Sequence, residues 1–195
     1  MNRILNKLII FFLMAMVGLT LANSTNADKD STRIRIGLKL FRTILAADTK
    51  IKEKKDINGE LVLALIYKRS QSDAALYAQK LQKLGKGKNQ GKIKKIPITI
   101  KILSSEHLVQ LENLKPAGIY LLEEIDNSTL QDLISYGIKH QIIVYSPFAG
   151  AVEQGVTAGL IIDARVKPYI NSKTLTTSQL QLKSFFLKVS KQYEP

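Results

Sequence analysis

The chain has 195 residues and a formal net charge of +13, from 29 Lys and Arg against 16 Asp and Glu. It contains no Cys, no Trp and only two His. That composition excludes disulfide frameworks, thiol catalysis, thiolate zinc sites, iron–sulfur clusters and imidazole-rich metal centres, so stability must come from packing.

At the N-terminus, Arg3 and Lys7 precede an apolar run from Leu8 to Leu21. Small and polar residues follow, Ala22 to Ala27, and no acid occurs before Asp28. This three-part pattern predicts a secretory signal peptide over residues 1–27, cleaved after Ala22 or Ala27. The apolar run is shorter than the roughly 20 residues that cross a bilayer, which disfavours an uncleaved anchor. Without Cys the chain cannot carry a lipid on an N-terminal cysteine. The expectation is an exported, periplasmic protein, with residues 28–33 a flexible lead-in and residues 34–195 a single α/β domain.

Apolar residues Ile34, Leu38, Phe41 and Leu45 recur at helical spacing, with Leu40, Ile44 and Ile51 widening the stripe. They predict an amphipathic helix ending near Ala47–Asp48. A charged connection follows and closes on an Asn58–Gly59 turn. Leu61 to Tyr67 is a continuous apolar run of strand length, as expected of a strand covered on both faces. Ser72 and Asp73 offer an N-cap for a helix through Leu76, Leu81 and Leu84, stopped by Gly85. Residues Gly85 to Gly91 read as a flexible basic loop.

Pro97 opens a second strand, Ile98 to Leu103. Ser104 and Ser105 offer caps for a short helix through Leu108, Leu111 and Leu114. After the Pro116–Gly118 break comes a third strand, Ile119 to Leu122. Asp126, Asn127 and Ser128 begin a helix over Leu130, Leu133 and Ile134 that Gly137 ends. Gln141 to Tyr145 is a fourth strand. Val156 to Ile162 and Val166 to Ile170 then read as a hairpin turning at Asp163–Arg165, and Thr177 to Lys191 as a final helix. Pro168 puts the last strand at a sheet edge. Alternating strands and helices predict a three-layer α/β sandwich. Its sheet is mixed but largely parallel, with helices on both faces and a C-terminal β-hairpin plus helix.

Lysines run from Lys80 and Lys83 to Lys95 with no acid among them. Lys86, Lys88, Lys92, Lys94 and Lys95 are therefore candidate partner contacts, for an acidic protein face or an anionic membrane surface. The competing reading is a solvated loop that aids solubility. Nucleic acid is not expected, because no aromatics are interleaved for base stacking. Gly85 and Gly91–Lys92 do not form a phosphate loop. The spacing is one residue too long, Ile93 stands where Ser or Thr is needed, and the segment follows a helix.

Glu123, Glu124 and Asp126 directly follow the third strand, and Ser146 follows the fourth. In an open parallel sheet, ligands bind outside the carboxyl ends of the strands. These four residues are thus the candidate ligand crevice, which Phe148 and Asp163 could also approach. The simpler alternative makes Asp126 or Asn127 a helix cap and the glutamates partners of the helix's positive end. Ser104, Glu106 and His107 lie close in sequence but show no nucleophile-elbow pattern. No cofactor is expected and the chain does not read as an enzyme. The helix with Leu38, Phe41 and Leu45 is expected to cover the sheet rather than dock a partner.

The tail carries a Gly159-bearing strand, then Ile170–Asn171, then Ser178-Gln179-Leu180 leading to Lys183. In this order it resembles the YfiR/HmsC-like family of small periplasmic proteins. The sharp signature is confined to this C-terminal stretch, while the order of elements fits over most of residues 34–191. The resemblance implies a non-enzymatic regulator that binds the periplasmic domain of a membrane signalling protein, such as a diguanylate cyclase. Gln154-Gly155-Val156 stands where the family often has a Gly pair. The paired cysteines of some relatives are absent, so no redox gating carries over. The alternative is a periplasmic small-ligand binding protein using the crevice at the strand ends. The sequence leaves the oligomeric state open, a homodimer included.

Overall fold

The computed structural model describes residues 29–195. The expected signal peptide and its cleavage sites lie outside them. Residues 36–195 form one compact unit, and residues 29–35 belong to a separate N-terminal one. No helix among the described residues is long and apolar enough to cross a membrane.

In chain order the elements are α1 (residues 29–47), β1 (Leu61–Tyr67), α2 (Gln71–Gln82), β2 (Lys92–Ile93), β3 (Ile96–Ser104), α3 (Gln110–Leu114), β4 (Gly118–Leu121), α4 (Asn127–Lys139), β5 (Ile143–Ser146), β6 (Ala158–Ile162), β7 (Val166–Asn171), α5 (Ser172–Thr177), α6 (Ser184–Val189) and β8 (Lys191–Tyr193). The strands form one mixed sheet in the order β2-β3-β1-β4-β5-β6-β7-β8. From β3 to β6 all neighbours are parallel. The antiparallel pairs are β2 on β3 and β7 on β6, and β8 runs parallel to β7. This is the expected α/β fold with its C-terminal hairpin and helices.

Crossovers between parallel strands follow a right-handed steric preference. The chain moves from β1 to β3 in one direction and returns past β1 to β4, so α2 packs on one face while α3 and α4 pack on the other. α1 covers the first face. Its Phe41 sits on Tyr120 and Tyr145 at 5.4 and 5.8 Å between ring centroids, and the two tyrosines stack at 5.3 Å. The approach is close because Gly118 lacks a Cβ, which would meet Leu45 at 2.8 Å and Phe41 at 3.1 Å. On the opposite face, Ile119, Leu121 and Val144 meet Leu111 of α3 and Leu130, Leu133 and Ile134 of α4. β1 lies between the layers with Leu61 through Ile66 all buried.

Several local expectations need correction. Residues 29–33 are helical rather than a flexible lead-in. α2 is capped by Ser70, whose hydroxyl accepts the Asp73 N–H, and not by Ser72 or Asp73. Gly137 does not end its helix. It lies inside α4, where a Cβ would meet Val144 at 2.5 Å, so Gly serves helix–sheet packing. The expected final helix, Thr177 to Lys191, is instead the last residue of α5, an extended stretch, α6 and the start of β8. Leu180 and Leu182 are buried while Gln179, Gln181 and Lys183 are exposed, a period of two that signals extended backbone. Leu182 bridges to Asp48. Finally, β7 is not the edge strand, but β8 pairs only with Tyr169 to Asn171, so Pro168 still faces an open edge.

The basic loop is also not free. Gly87–Asn89 forms a 3-10 turn, Lys94 and Lys95 take positive φ in the β2–β3 turn, and the Arg42 guanidinium donates to the carbonyls of Asn89 and Lys92.

Candidate ligand cleft

The chain reverses its direction across the sheet between β1 and β4, and the crevice outside their carboxyl ends is where open α/β sheets bind ligands. Here that position is filled by the protein itself. Glu123 Oε1 accepts the backbone N–H groups of Lys68, Arg69 and Ser70 at 3.3, 3.0 and 3.2 Å. Its Oε2 takes the Arg69 Nε–H at 2.7 Å. Partial burial pushes the Glu123 carboxyl up, but the Arg69 side chain and the three N–H groups together hold it below the usual range. The loop leading into α2 is thus an anion cradle with an internal anion in it.

The open cleft lies one strand further on, at the ends of β4 and β5. It has a volume of about 200 Å³. Leu121, Ile125, Leu130, Phe148 and Ala151 give it apolar walls, while Glu123, Glu124, Ser146 and Gln154 supply polar groups. The connection from β5 to β6 is its outer wall, held from several sides. Asn171 donates from Nδ2 to the Val152 carbonyl at 2.7 Å and accepts the Thr174 N–H on Oδ1 at 2.8 Å. The Thr174 hydroxyl donates to the Gly155 carbonyl, and Gln131 donates to that of Gln154. On the floor, Gly159 passes so near β5 that a Cβ would stand 2.6 Å from the Ser146 carbonyl and 2.9 Å from Val152.

Three of the four crevice candidates line the cleft, in different ways. Glu123 contributes its stem, since its carboxylate is spent on the cradle. Glu124 is exposed and its carboxylate has no hydrogen bond or ion pair among the described residues. Ser146 is buried, and its hydroxyl accepts the Phe148 N–H at 3.2 Å. No acceptor among the described residues takes its proton. Asp126 does not line the cleft and instead caps α4. Its carboxylate accepts the Thr129 N–H and the Ser128 hydroxyl, which hold it well below the ordinary carboxylate range. Asp163 lies in the β6–β7 turn, outside the lining. No group of three or more His, Asp or Glu among the described residues is arranged to hold a metal.

The five candidate lysines do not act as one loop. Lys86, Lys88 and Lys95 are exposed, whereas Lys92 and Lys94 are partly covered. Lys94 Nζ donates to the Asp48 carbonyl at 2.8 Å. Sequence reasoning missed Ile125, Leu130, Ala151 and Gln154 of the cleft, and Arg69 beside it. The length of the β5–β6 connection was the available signal, because long connections at strand ends tend to form binding walls.

No protein-family model matches the chain, and no curated protein matches it. Solved structures do. The ABC domain in complex with L-Trp from Streptococcus pneumoniae superposes with a TM-score of 0.54 at 14% identity, covering 80% of this chain and 60% of that one. The likeness is one of fold. A ligand-free, open substrate-binding protein with adhesive properties from Clostridium difficile gives a TM-score of 0.50 at 12% identity, covering 81% of this chain and 58% of that one. The chain spans about three fifths of the length of these proteins. What the chain shares with both is the α/β fold.

Proposed function

We propose that the chain is a small-ligand binding protein that receives its ligand in the cleft at the ends of β4 and β5. The observation that carries this is the pairing of Glu124 with Ser146. A carboxylate and a hydroxyl proton, each without a protein partner among the described residues, flank one cavity of mixed polar and apolar lining. Buried polar groups in proteins are normally satisfied, so the acceptor for the buried Ser146 hydroxyl falls to ligand or water, while the exposed Glu124 carboxylate stands ready for a donor. No Lys or Arg among the described residues lines the cleft. Its chemistry therefore suits a small ligand that brings an ammonium or other donor to Glu124 and an acceptor to the Ser146 hydroxyl. The volume is below the ~300–1,000 Å³ of drug-sized pockets, which favours a small metabolite over a nucleotide.

Titration calorimetry with a panel of small primary amines and their N-acetylated counterparts tests the reading. At least one amine is expected to bind, its acetylated form to bind about tenfold or more weakly, and Glu124→Gln to remove that difference. Binding that survives Glu124→Gln and Ser146→Ala unchanged would place the ligand elsewhere.

The resemblance of the tail supports a second reading, an exported regulator of a membrane signalling protein's periplasmic domain. What favours it is that Asn171 and Gly159, two residues of that signature, both set the cleft wall and floor. A regulator would use those contacts to couple cleft occupancy to a partner-facing surface, shifting the partner by differential affinity. Capture from a native membrane extract should then retain an integral membrane protein with a cyclase or kinase output domain. Retention should change with the amine found by calorimetry.

A further inference from the structure

The end of the sheet opposite the cleft collects positive charge from segments far apart in sequence. The 3-10 turn after α1 (Ile51–Lys54) brings Lys52, with Lys55 next to it, to the amino end of β1. The β2–β3 turn brings Lys94 and Lys95 to the amino end of β3. Lys183 joins them, because its N–H bonds the Ala47 carbonyl at the end of α1. These lysines stand close enough to disturb one another. Burial, then repulsion from Lys183 and Lys52, holds the Lys94 ammonium below its ordinary range against the opposing pull of Asp48.

Most carboxylates at this end are spent, and Glu53 on the same 3-10 turn is the exposed one without an ion pair among the described residues. Asp48 is fully buried and paired with Lys54 at 2.7 Å. Asp56 accepts the N–H groups of Asn58 and Glu60, and Glu60 accepts the Thr99 hydroxyl. Lys52, Lys55, Lys95 and Lys183 have no carboxylate partner among the described residues. Two large apolar side chains project from the same end. Ile57 is 100% exposed at the tip of the turn that Asp56 braces, and Phe185 is 60% exposed beside Lys183 at the start of α6. A solubility patch needs neither.

We propose that this face docks on an anionic phospholipid bilayer, with the lysines over the headgroups and Ile57 and Phe185 entering the interface. Charge alone would equally suit an acidic protein. The apolar tips decide for the bilayer, since separate projecting side chains surrounded by ammonium groups match an interface that is anionic outside and apolar beneath. Lysine stems can lie along the apolar layer while their heads stay in water. Docking by this face leaves the cleft, at the other end of the strands, open to solution.

The chain lacks Trp, so a single introduced indole reports its own surroundings. The full chain carrying Ile57→Trp or Phe185→Trp is mixed with phosphatidylglycerol/phosphatidylethanolamine vesicles and, separately, with phosphatidylcholine vesicles. Val109→Trp, exposed after β3 at the cleft end, is the control. A blue shift at both tips with the anionic vesicles only, and none at Val109→Trp, is the expected result. Changing Lys52, Lys55, Lys95 and Lys183 to Gln should weaken the titration about fivefold per residue. Equal shifts with both lipids, an equal shift at the control, or no shift at the tips would overturn the proposal. So would a response to soluble polyglutamate without one to vesicles, which would make the face a protein-docking surface.

Discussion

Glu123 reaches from the end of β4 to Arg69 at the end of β1, and its carboxylate is bonded by both the backbone and the side chain of that residue. The two strands meet where the chain reverses direction across the sheet, so the contact closes the crevice that this fold type usually leaves open. A site that would attract an anion is thereby satisfied internally, and the usable cavity moves one strand over.

Because the folded-state pKa of Glu123 is depressed, its stabilisation is fully present above the unfolded value near ~4.3 and is lost as pH falls through the folded value. Glu123→Gln should therefore cost about 1–3 kcal/mol at neutral pH. Urea unfolding of both proteins should show that gap narrowing as the pH drops below about 4. A gap of equal size at both pH values would contradict the role assigned to the charge.

Asn171 gives a more discriminating pair. Asn171→Ala removes the cap of α5 and leaves the Val152 carbonyl without its donor, at a cost of about 2–3 kcal/mol. Asn171→Asp keeps an acceptor for Thr174 but sets a buried carboxylate against that carbonyl, so it should be the less stable of the two near neutral pH. Thermal unfolding monitored by circular dichroism ranks them.

Gly159→Ala tests the floor of the cleft. The added methyl must displace the Ser146 backbone and Val152, with about 1–3 kcal/mol of overpacking. Amine affinity should fall together with stability, whereas Asp126→Ala at the α4 cap should lower the melting temperature with little change in affinity.

Lys54 and Asp48 form the buried ion pair at the far end, where Lys54 also donates to the Gln141 carbonyl at 2.6 Å. Lys54→Met should destabilise by about 3–5 kcal/mol, since it strands a buried carboxylate. Asp48→Asn in the same chain should recover part of that loss, and a double-mutant cycle by chemical denaturation measures it.

Much of this architecture is legible in local patterns. The apolar run at Leu61–Tyr67 reads as a strand buried on two faces and that at Ile119–Leu122 as a strand, and Asp126 announces α4 by its capping chemistry. What was hidden depends on distant partners. Gly137 reads as a helix stop until Val144 stands against it, and Glu123 reads as a ligand group until the N–H groups of residues 68–70 receive it. The segment around Leu180 and Leu182 mixes both periodicities. Its extended form is decided by pairing with the end of α1, over a hundred residues earlier in the chain.

The seat of α1 has a consequence for biogenesis. Phe41 and Leu45 emerge early, yet the surface they cover includes Gly118, Tyr120 and Tyr145, made much later. Until β4 and β5 exist, the helix has an apolar stripe and nothing to bury it against. The contact is non-local and is expected to form late in folding, which prolongs the unfolded interval. Until that contact forms, the unburied stripe of Phe41 and Leu45 is a ready binding segment for a holdase chaperone.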